Sequence, residues 1–500
     1  MGMRTFRVRK SSSVPRSDAP QKTAKHNRVK EAVVKGSAGL LLGTVGLTGS
    51  VVANQYHPGE VLRPSSINLA HGYGPQGQAI ARAVVDSPGG TVDPEYAVTA
   101  GRVSPTFEVG NQAVMEAQAK LIENAQFEVL FQTFGWNDSD NTQTLLDAFK
   151  QLEANRRTAA DGKPPVQVYI ALDDRRGTLD RFRTLFATGK FPLSVPMRAR
   201  EMVAAEVDAL HLDPALVQVH VVSHRHFMFG AQHGKGTLVD RRVFYSTGTN
   251  PEFPNGYGQY DLGFTLTGKI VHSAWKDFTF VIHNADSQFT FDDRNWPVED
   301  ESQPQVPMIF ATRRAQGTPF PNEDNPQTNA TVELLTKSQH YSKIITPNLN
   351  AKPVVDAILA GARAGKVEQI ILSKDFNQAP ESAIGQGGPN DAVVQKMYAV
   401  ATNGHFAQFL QVKWFAHDGR TPEGMGKSSH TKEEFGDGVV MALETKNEDT
   451  QSEHSHEIET FVDDRATVAH FESAIFDVQW DKAAPASGSH PENWVEITDP

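Results

Sequence analysis

The feature that constrains this chain most is a pattern that it carries twice. His233-Gly-Lys235-Gly-Thr-Leu-Val-Asp240 and His430-Thr-Lys432-Glu-Glu-Phe-Gly-Asp437 both read H-x-K-x4-D, offset by 197 residues (430 − 233). The same offset links Asn250 to Asn447, each seventeen residues beyond its histidine. One copy of so short a pattern is a weak signal, because composition alone produces it in roughly one chain of this size in twenty. Two copies with an asparagine in common register are a strong one.

The order of elements around the motifs repeats as well. In the first half, Asn111–Asn124 and Asn141–Asn155 have helical spacing. Gln126–Trp136 and the apolar runs Val166–Leu172 (VQVYIAL) and Val217–Val222 (VQVHVV) read as strands, with further strands at Thr237–Tyr245 and Leu262–Leu266. In the second half, Tyr341–Pro347, Val367–Leu372 and Phe409–Phe415 read as strands, and Lys352–Ala364 and Asp391–Ala401 as helices. Buried strands alternating with amphipathic helices indicate α/β layers, and the repeated order indicates a duplicated unit. The acidic, Pro-rich stretch Asn295–Val306 marks the boundary, giving a lead-in over 54–105 and domains over 106–300 and 301–500.

Composition narrows the chemistry. Five hundred residues, 39% of them hydrophobic, are enough for two or three domains with a sizeable core. With no cysteine there is no disulfide, thiolate nucleophile, zinc ribbon or cysteine-ligated iron–sulfur cluster, so any metal would need His, Asp or Glu. The net charge of −11 conceals ten Lys or Arg against Asp18 and Glu31 in residues 1–36, which leaves −19 on the rest. A body this acidic repels a nucleic-acid backbone over most of its surface.

The basic block is followed by an uncharged run from Gly36 to Tyr56 that ends in small residues near Ala53. Residues 1–53 thus fit a secretory signal cleaved before Asn54, which makes the body secreted or periplasmic. The alternative is an uncleaved membrane anchor, again with the body outside the cytoplasm.

On an extended segment, residues two apart face the same side, so the His and Lys of each motif point into one cleft. Lysine supplies positive charge and the asparagine amide can donate to a phosphoryl oxygen. Imidazole can attack or protonate near neutral pH. The geometry invites a phosphate.

On these residues the chain resembles the phospholipase D superfamily over roughly residues 106–480. The resemblance implies a duplicated α/β/α sandwich, two halves related by a pseudo-twofold axis with the active site at their interface. It implies His233 as the nucleophile forming a phosphohistidine and His430 as general acid, then base, without a metal or other cofactor. Lys235, Lys432, Asn250 and Asn447 would hold the phosphoryl oxygens, and Asp240 and Asp437 would fix the motif backbone. Asp261 would orient the first-half histidine and Glu457 the second, with Glu459 as its rival. The G-S-x-N of the family stands here as Thr247-Gly248-Thr249-Asn250 and Glu444-Thr445-Lys446-Asn447, and Glu444 is unwelcome beside a phosphate unless it points away. The implied substrate is a glycerophospholipid at a membrane surface. A nucleic-acid phosphodiester is the runner-up and an inactive lipid-binding relative a third reading. Both motifs lie in one chain, so a monomer can assemble the site.

Other features read more plainly. His224 with His226, and His454 with His456, alternate as metal ligands could, but suit ordinary polar positions beside the cleft better. The glycines at Gly101 and at Gly385–Gly388 lack a Walker lysine. Trp275 and Trp480 read as core aromatics.

Overall fold

The computed structural model describes residues 72–159, 162–173, 199–224, 230–251, 259–294, 296–298, 302–316, 321–376, 386–424 and 427–497. Residues 1–53, His226 and Gly385 lie outside the described residues.

The described strands are β1 Val98–Val109, β2 Glu128–Thr133, β3 Val166–Asp173, β4 Val217–His224, β5 Gly236–Val239, β6 Val243–Thr247, β7 Leu262–Thr267 and β8 Val306–Arg313. They continue as β9 Tyr341–Thr346, β10 Val367–Leu372, β11 Leu410–Trp414, β12 Glu433–Gly436, β13 Val440–Glu444, β14 Glu457–Asp463 and β15 Ala484–Pro485. All join one sheet in the order β15-β11-β10-β9-β12-β13-β14-β8-β1-β7-β6-β5-β2-β3-β4. Apart from the short edge strand β15, the order is a palindrome about the antiparallel pair β8–β1, with β9–β14 standing where β2–β7 stand. In each half three parallel strands carry the apolar runs, and three antiparallel strands follow them.

Parallel strands need cover on both faces, and the helices supply it. Helices Asn111–Glu123 and Asp140–Ala159 bring Val114, Met115, Leu145 and Phe149 against Phe131 and Ile170. Helices Pro326–Lys337, Lys352–Arg363 and Asn390–Asn403 do the same for the second half through Leu334, Ile358 and Met397. Helix Ile270–Ala285 feeds a core common to both halves, where Trp275 and Phe278 share a cluster with Phe435, Phe471 and Phe476. Trp275 is buried as expected, whereas Trp480 is only partly buried and stacks on Phe476 under the Lys413 ammonium.

Two stretches differ from the sequence reading. Within the expected lead-in, Pro75–Asp86 is a helix packed on Pro326–Lys337, and β1 already begins at Val98. The helix is tied to the second half by Gln76 Nε2, which donates to Ser338 Oγ at 2.9 Å, and by Gly74 N, which donates to Asp463 Oδ2 at 2.6 Å. Gly77 lets it approach, since a Cβ there would lie 2.1 Å from Asp463 Oδ2. Glycine and glutamine at its start hide the helical period. The run Thr237–Tyr245 is two strands, not one, because Asp240 and Arg241 adopt positive φ and reverse the chain.

Asp240 and Asp437 close equivalent hairpins at φ 52° and 51°. The Asp240 carboxylate accepts from Gln126 N, Phe127 N and Glu128 N at 2.7, 2.8 and 3.0 Å. Asp437 accepts from Gln339 N, His340 N and Tyr341 N at 2.6, 2.9 and 2.9 Å. Three charge-assisted bonds offset a left-handed backbone that disfavours L-residues. Both aspartates thus tie the end of a motif strand to the start of its neighbour, on the backbone side of the motif. Asp240→Ala or Asp437→Ala is expected to lower unfolding free energy by about 3 kcal/mol, read by urea denaturation. Turnover per folded molecule should be unchanged; an Asp variant that kept stability but lost turnover would overturn this role.

Candidate active site

His233 and His430 lie in the segments that lead into β5 and β12, and each segment is clamped by the opposite half. His233 N donates to His456 O at 3.0 Å and His456 N to Ala231 O at 2.7 Å. His430 N donates to Tyr260 O at 2.7 Å and Tyr260 N to Ser428 O at 3.1 Å. His456 and Tyr260 immediately precede Glu457 and Asp261. The clamps therefore deliver each carboxylate to the histidine of the other half. His233 Nδ1 donates to Glu457 Oε1 at 2.6 Å, and His430 Nδ1 to Asp261 Oδ2 at 2.9 Å. The partners are exchanged from those expected: Asp261 bonds His430, not His233, and Glu457 bonds His233, not His430. Spacing from a histidine along the chain carries no information about which half folds over it. Glu459, the rival, is turned to Thr331 and Lys446.

Burial, helped by Lys235 and Lys432, lowers His233 to about 4 against the pull of Glu457. Burial and then Lys432 lower His430 to about 4, with Asp261 opposing. Burial alone would raise Glu457, but His233, Lys235 and Arg313 hold it at about 2. Asp261 is likewise held below its usual range, burial being outweighed by His430 and Lys432. At neutral pH the empty site thus holds neutral imidazoles against ionised carboxylates. That fixes the proton on Nδ1 and leaves each Nε2 with a lone pair. The His233 side chain is 16% exposed and His430 7%, so His233 is the more open to attack a substrate.

Lys235 Nζ donates to His233 O at 2.6 Å, and Lys432 Nζ donates to His430 O. Each lysine folds back along its own motif, and both ammonium charges act on both imidazoles. Asn250 Oδ1 accepts from Thr133 Oγ1 and Phe134 N at 3.1 and 3.2 Å, which leaves its amide N–H groups to donate elsewhere. Asn447 differs: its Nδ2 donates to Asp449 Oδ2 at 3.2 Å. Glu444 points to Lys446 Nζ at 3.1 Å, which also bonds Thr331 Oγ1 at 2.6 Å under helix Pro326–Lys337. Burial, with Glu459, Glu448 and Glu434 beside it, raises Glu444 well above the usual carboxylate range against the pull of Lys446, which Glu448 and Glu459 share.

Four residues at the site carry no role in the sequence reading. Thr445 Oγ1 donates to Glu457 Oε2 at 2.7 Å and braces the carboxylate that holds His233. Its counterpart at the 197-residue offset is Gly248, where a Cβ would lie 2.8 Å from Asp261 Oδ1 and 3.2 Å from Lys432 Nζ. The register of the two motifs could have flagged this pair. Phe134 meets His233 edge-on at 5.0 Å and Phe376 lies 5.4 Å from the His430 ring; neither carries a motif signal. His224 and His456 are engaged structurally. His224 Nε2 bonds Val281 O at 2.7 Å and His456 Nε2 bonds Asp277 Oδ1 at 2.8 Å. Gly234 is needed beneath His456, because a Cβ there would lie 2.6 Å from its ring.

No protein-family model matches the sequence, and no curated protein matches it. Among solved structures, phosphatidylserine synthase from Haemophilus influenzae Rd KW20 is similar over 78% of this chain and 91% of that one, with a TM-score of 0.54 and 13% identity. Polyphosphate kinase from Porphyromonas gingivalis is similar over 79% of this chain and 50% of that one, with a TM-score of 0.45 and 10% identity. Nuc from Salmonella typhimurium, a phospholipase D family member, covers 35% of this chain at a TM-score of 0.25 and 12% identity, and 95% of its own. The last two likenesses are too weak to add to the first. With two H-x-K-x4-D motifs converging across a palindromic sheet that matches phosphatidylserine synthase over most of both chains, this protein has the fold of the phospholipase D superfamily.

Proposed function

We propose that this chain cleaves phosphodiesters by two-step covalent catalysis, with glycerophospholipids as substrates. The crossed pair of Nδ1–carboxylate bonds carries the reading, because it leaves two oriented Nε2 atoms beside two lysines. His233 Nε2 attacks phosphorus and forms a P–N bond. The bond from phosphorus to the leaving alcohol breaks, and that oxygen takes a proton from His430 Nε2. Neutral His430 then removes a proton from water, the hydroxide attacks phosphorus, and the P–N bond breaks to release phosphatidic acid and free His233. An alcohol in place of the water gives transfer instead. Lys235, Lys432, Asn250 and Asn447 stabilise the charge on the phosphoryl oxygens. The name of the solved neighbour, a phosphatidylserine synthase, supports a glycerophospholipid substrate and an alcohol acceptor. We place the body outside the cytoplasm on the strength of residues 1–53, and we propose that one chain suffices for the site.

A consequence concerns pH. The first step needs His233 neutral and His430 protonated, and the proton on His430 is lost as pH rises above about 4 in the empty site. A bound phosphodiester offsets the lysine charges and raises that value. The kcat/KM profile, which reports the free enzyme, is therefore expected to peak on the acid side of 6.5 and fall about tenfold per pH unit above the peak. A pH–rate series with a soluble phosphodiester checks this; a kcat/KM optimum above pH 8 would contradict it.

The reading itself is tested by mass-spectrometric product analysis of residues 54–500 with mixed phospholipids, with EDTA present, beside plasmid DNA. Phosphatidic acid and free head group, formed in EDTA, is the expected result. Intact lipids with cut DNA would replace the reading by a nuclease, and no product from either would replace it by an inactive relative.

A further inference from the structure

At the opposite end of the sheet from the histidines, a cleft of about 780 Å³ opens between the β5–β6 hairpin, the end of β7 and the start of β1. β7 runs from beside Asp261 to Thr267, so the cleft lies about 17 Å along the strand from the catalytic end. Its volume is in the usual range for small-molecule sites.

Its lining is basic in a chain whose body is acidic. Thr267 on β7 pairs with Val243 on β6 on one side and Arg102 on β1 on the other. Arg242 just before β6, Lys269 just beyond β7 and Arg102 within β1 thus stand on three adjacent strands, the outer two strands about 10 Å apart. Arg242 and Lys269 are exposed, and their side chains enter no ion pair or hydrogen bond among the described residues, the Lys269 backbone N–H donating to Gln305 Oε1 at 3.1 Å. Arg102 is held in place by Gln303 O and Pro304 O at 2.6 and 3.2 Å. A fourth cation, Arg241, is paired with Glu128 at 3.2 Å and lies over the rings of Trp275 and Trp296.

The nearby carboxylates offset this wall only in part. Asp293 is taken up by His272, Lys276 and Trp296, and Asp292 by Arg294. Glu95 is exposed on the lining. Trp296 lines the cleft, its ring 4.0 Å from the His272 ring and tilted 35° to it.

We propose that this cleft is a second, non-catalytic binding site for a phosphate-bearing anion. A carboxylate offers two acceptor oxygens and one charge, whereas a phosphate ester or diphosphate offers three or more oxygens and a higher charge, and so can meet guanidinium forks and an ammonium that reach toward it together. The same chemistry is offered by a soluble phosphate compound and by an anionic lipid head group.

The test uses the full chain at low salt, with inorganic pyrophosphate and separately with vesicles containing phosphatidylglycerol as probes. Binding is read by calorimetry and by Trp296 fluorescence. Wild type is expected to bind at least one probe, and Arg242→Ala/Lys269→Ala to weaken that binding about tenfold or more, with its thermal melt unchanged because both side chains are exposed. Loss of pyrophosphate binding identifies a soluble ligand; loss of vesicle binding alone identifies a lipid surface. Trp296→Phe should remove the fluorescence change while calorimetric binding persists, which separates this cleft from the catalytic lysines. Undiminished affinity in the double variant, or no binding of either probe to wild type, would overturn the proposal.

Discussion

Replacing His233 or His430 with alanine is expected to lower turnover by about 10⁴-fold or more, because each removes one participant in bond making or breaking that nothing else in the site replaces. The double variant should be little worse than either single one, since residues that act as one unit do not contribute additively. The two losses differ in kind. Without His233 no covalent intermediate forms, so no product appears with any leaving group. Without His430 the first step still has its nucleophile, and a substrate whose leaving group needs no proton, such as a p-nitrophenyl phosphodiester, should form the intermediate and then stall. A His233→Ala enzyme that retained turnover above about 1% of wild type would exclude the proposed nucleophile.

The crossed carboxylates give the second large effect. Glu457→Gln removes the anion that holds the proton of His233 on Nδ1, and Asp261→Asn does the same to His430. Each is expected to cost about 10²–10⁴-fold in kcat, the range seen when the orienting partner of a catalytic imidazole is neutralised. Because the pairs cross between halves, the rescue pattern is specific. A p-nitrophenol leaving group should restore the first step in Asp261→Asn, whose defect is in the acid, and should not restore it in Glu457→Gln, whose defect is in the nucleophile. The opposite pattern would mean that each carboxylate serves its own half. Thr445 shares in the Glu457 effect through its 2.7 Å bond, while Gly248 leaves Asp261 without that brace. The two halves are therefore built alike but not equally held.

Much of this architecture was legible because it rests on local patterns. Val367–Leu372 and Val166–Leu172 are apolar runs of strand length, and the structure has strands there. The H-x-K-x4-D repeat identified the two histidines and lysines because motif residues lie close in the chain. What was not legible depends on contacts between distant segments. Nothing in the spacing of Asp261 from His233 reveals that the first half's carboxylate crosses to His430, since that follows from backbone bonds between Tyr260 and the residues flanking Ser429. Helix Pro75–Asp86 was hidden for a related reason, because its cover comes from Pro326–Lys337, some 250 residues away. Glu444 reads as hostile to a phosphate in the sequence, whereas the fold turns it to Lys446 inside a buried cluster of carboxylates.

The most direct measurement is to trap and map the covalent intermediate. The full chain and its His233→Ala and His430→Ala variants are mixed briefly with a phospholipid labelled in its phosphate, quenched in alkali and digested. An acid-labile, alkali-stable label on the peptide containing His233, absent from His233→Ala, is the predicted result, and in His430→Ala the label should accumulate only when a p-nitrophenyl phosphodiester replaces the phospholipid. Label on the His430 peptide, or steady product formation with no labelled histidine at any time, would contradict it.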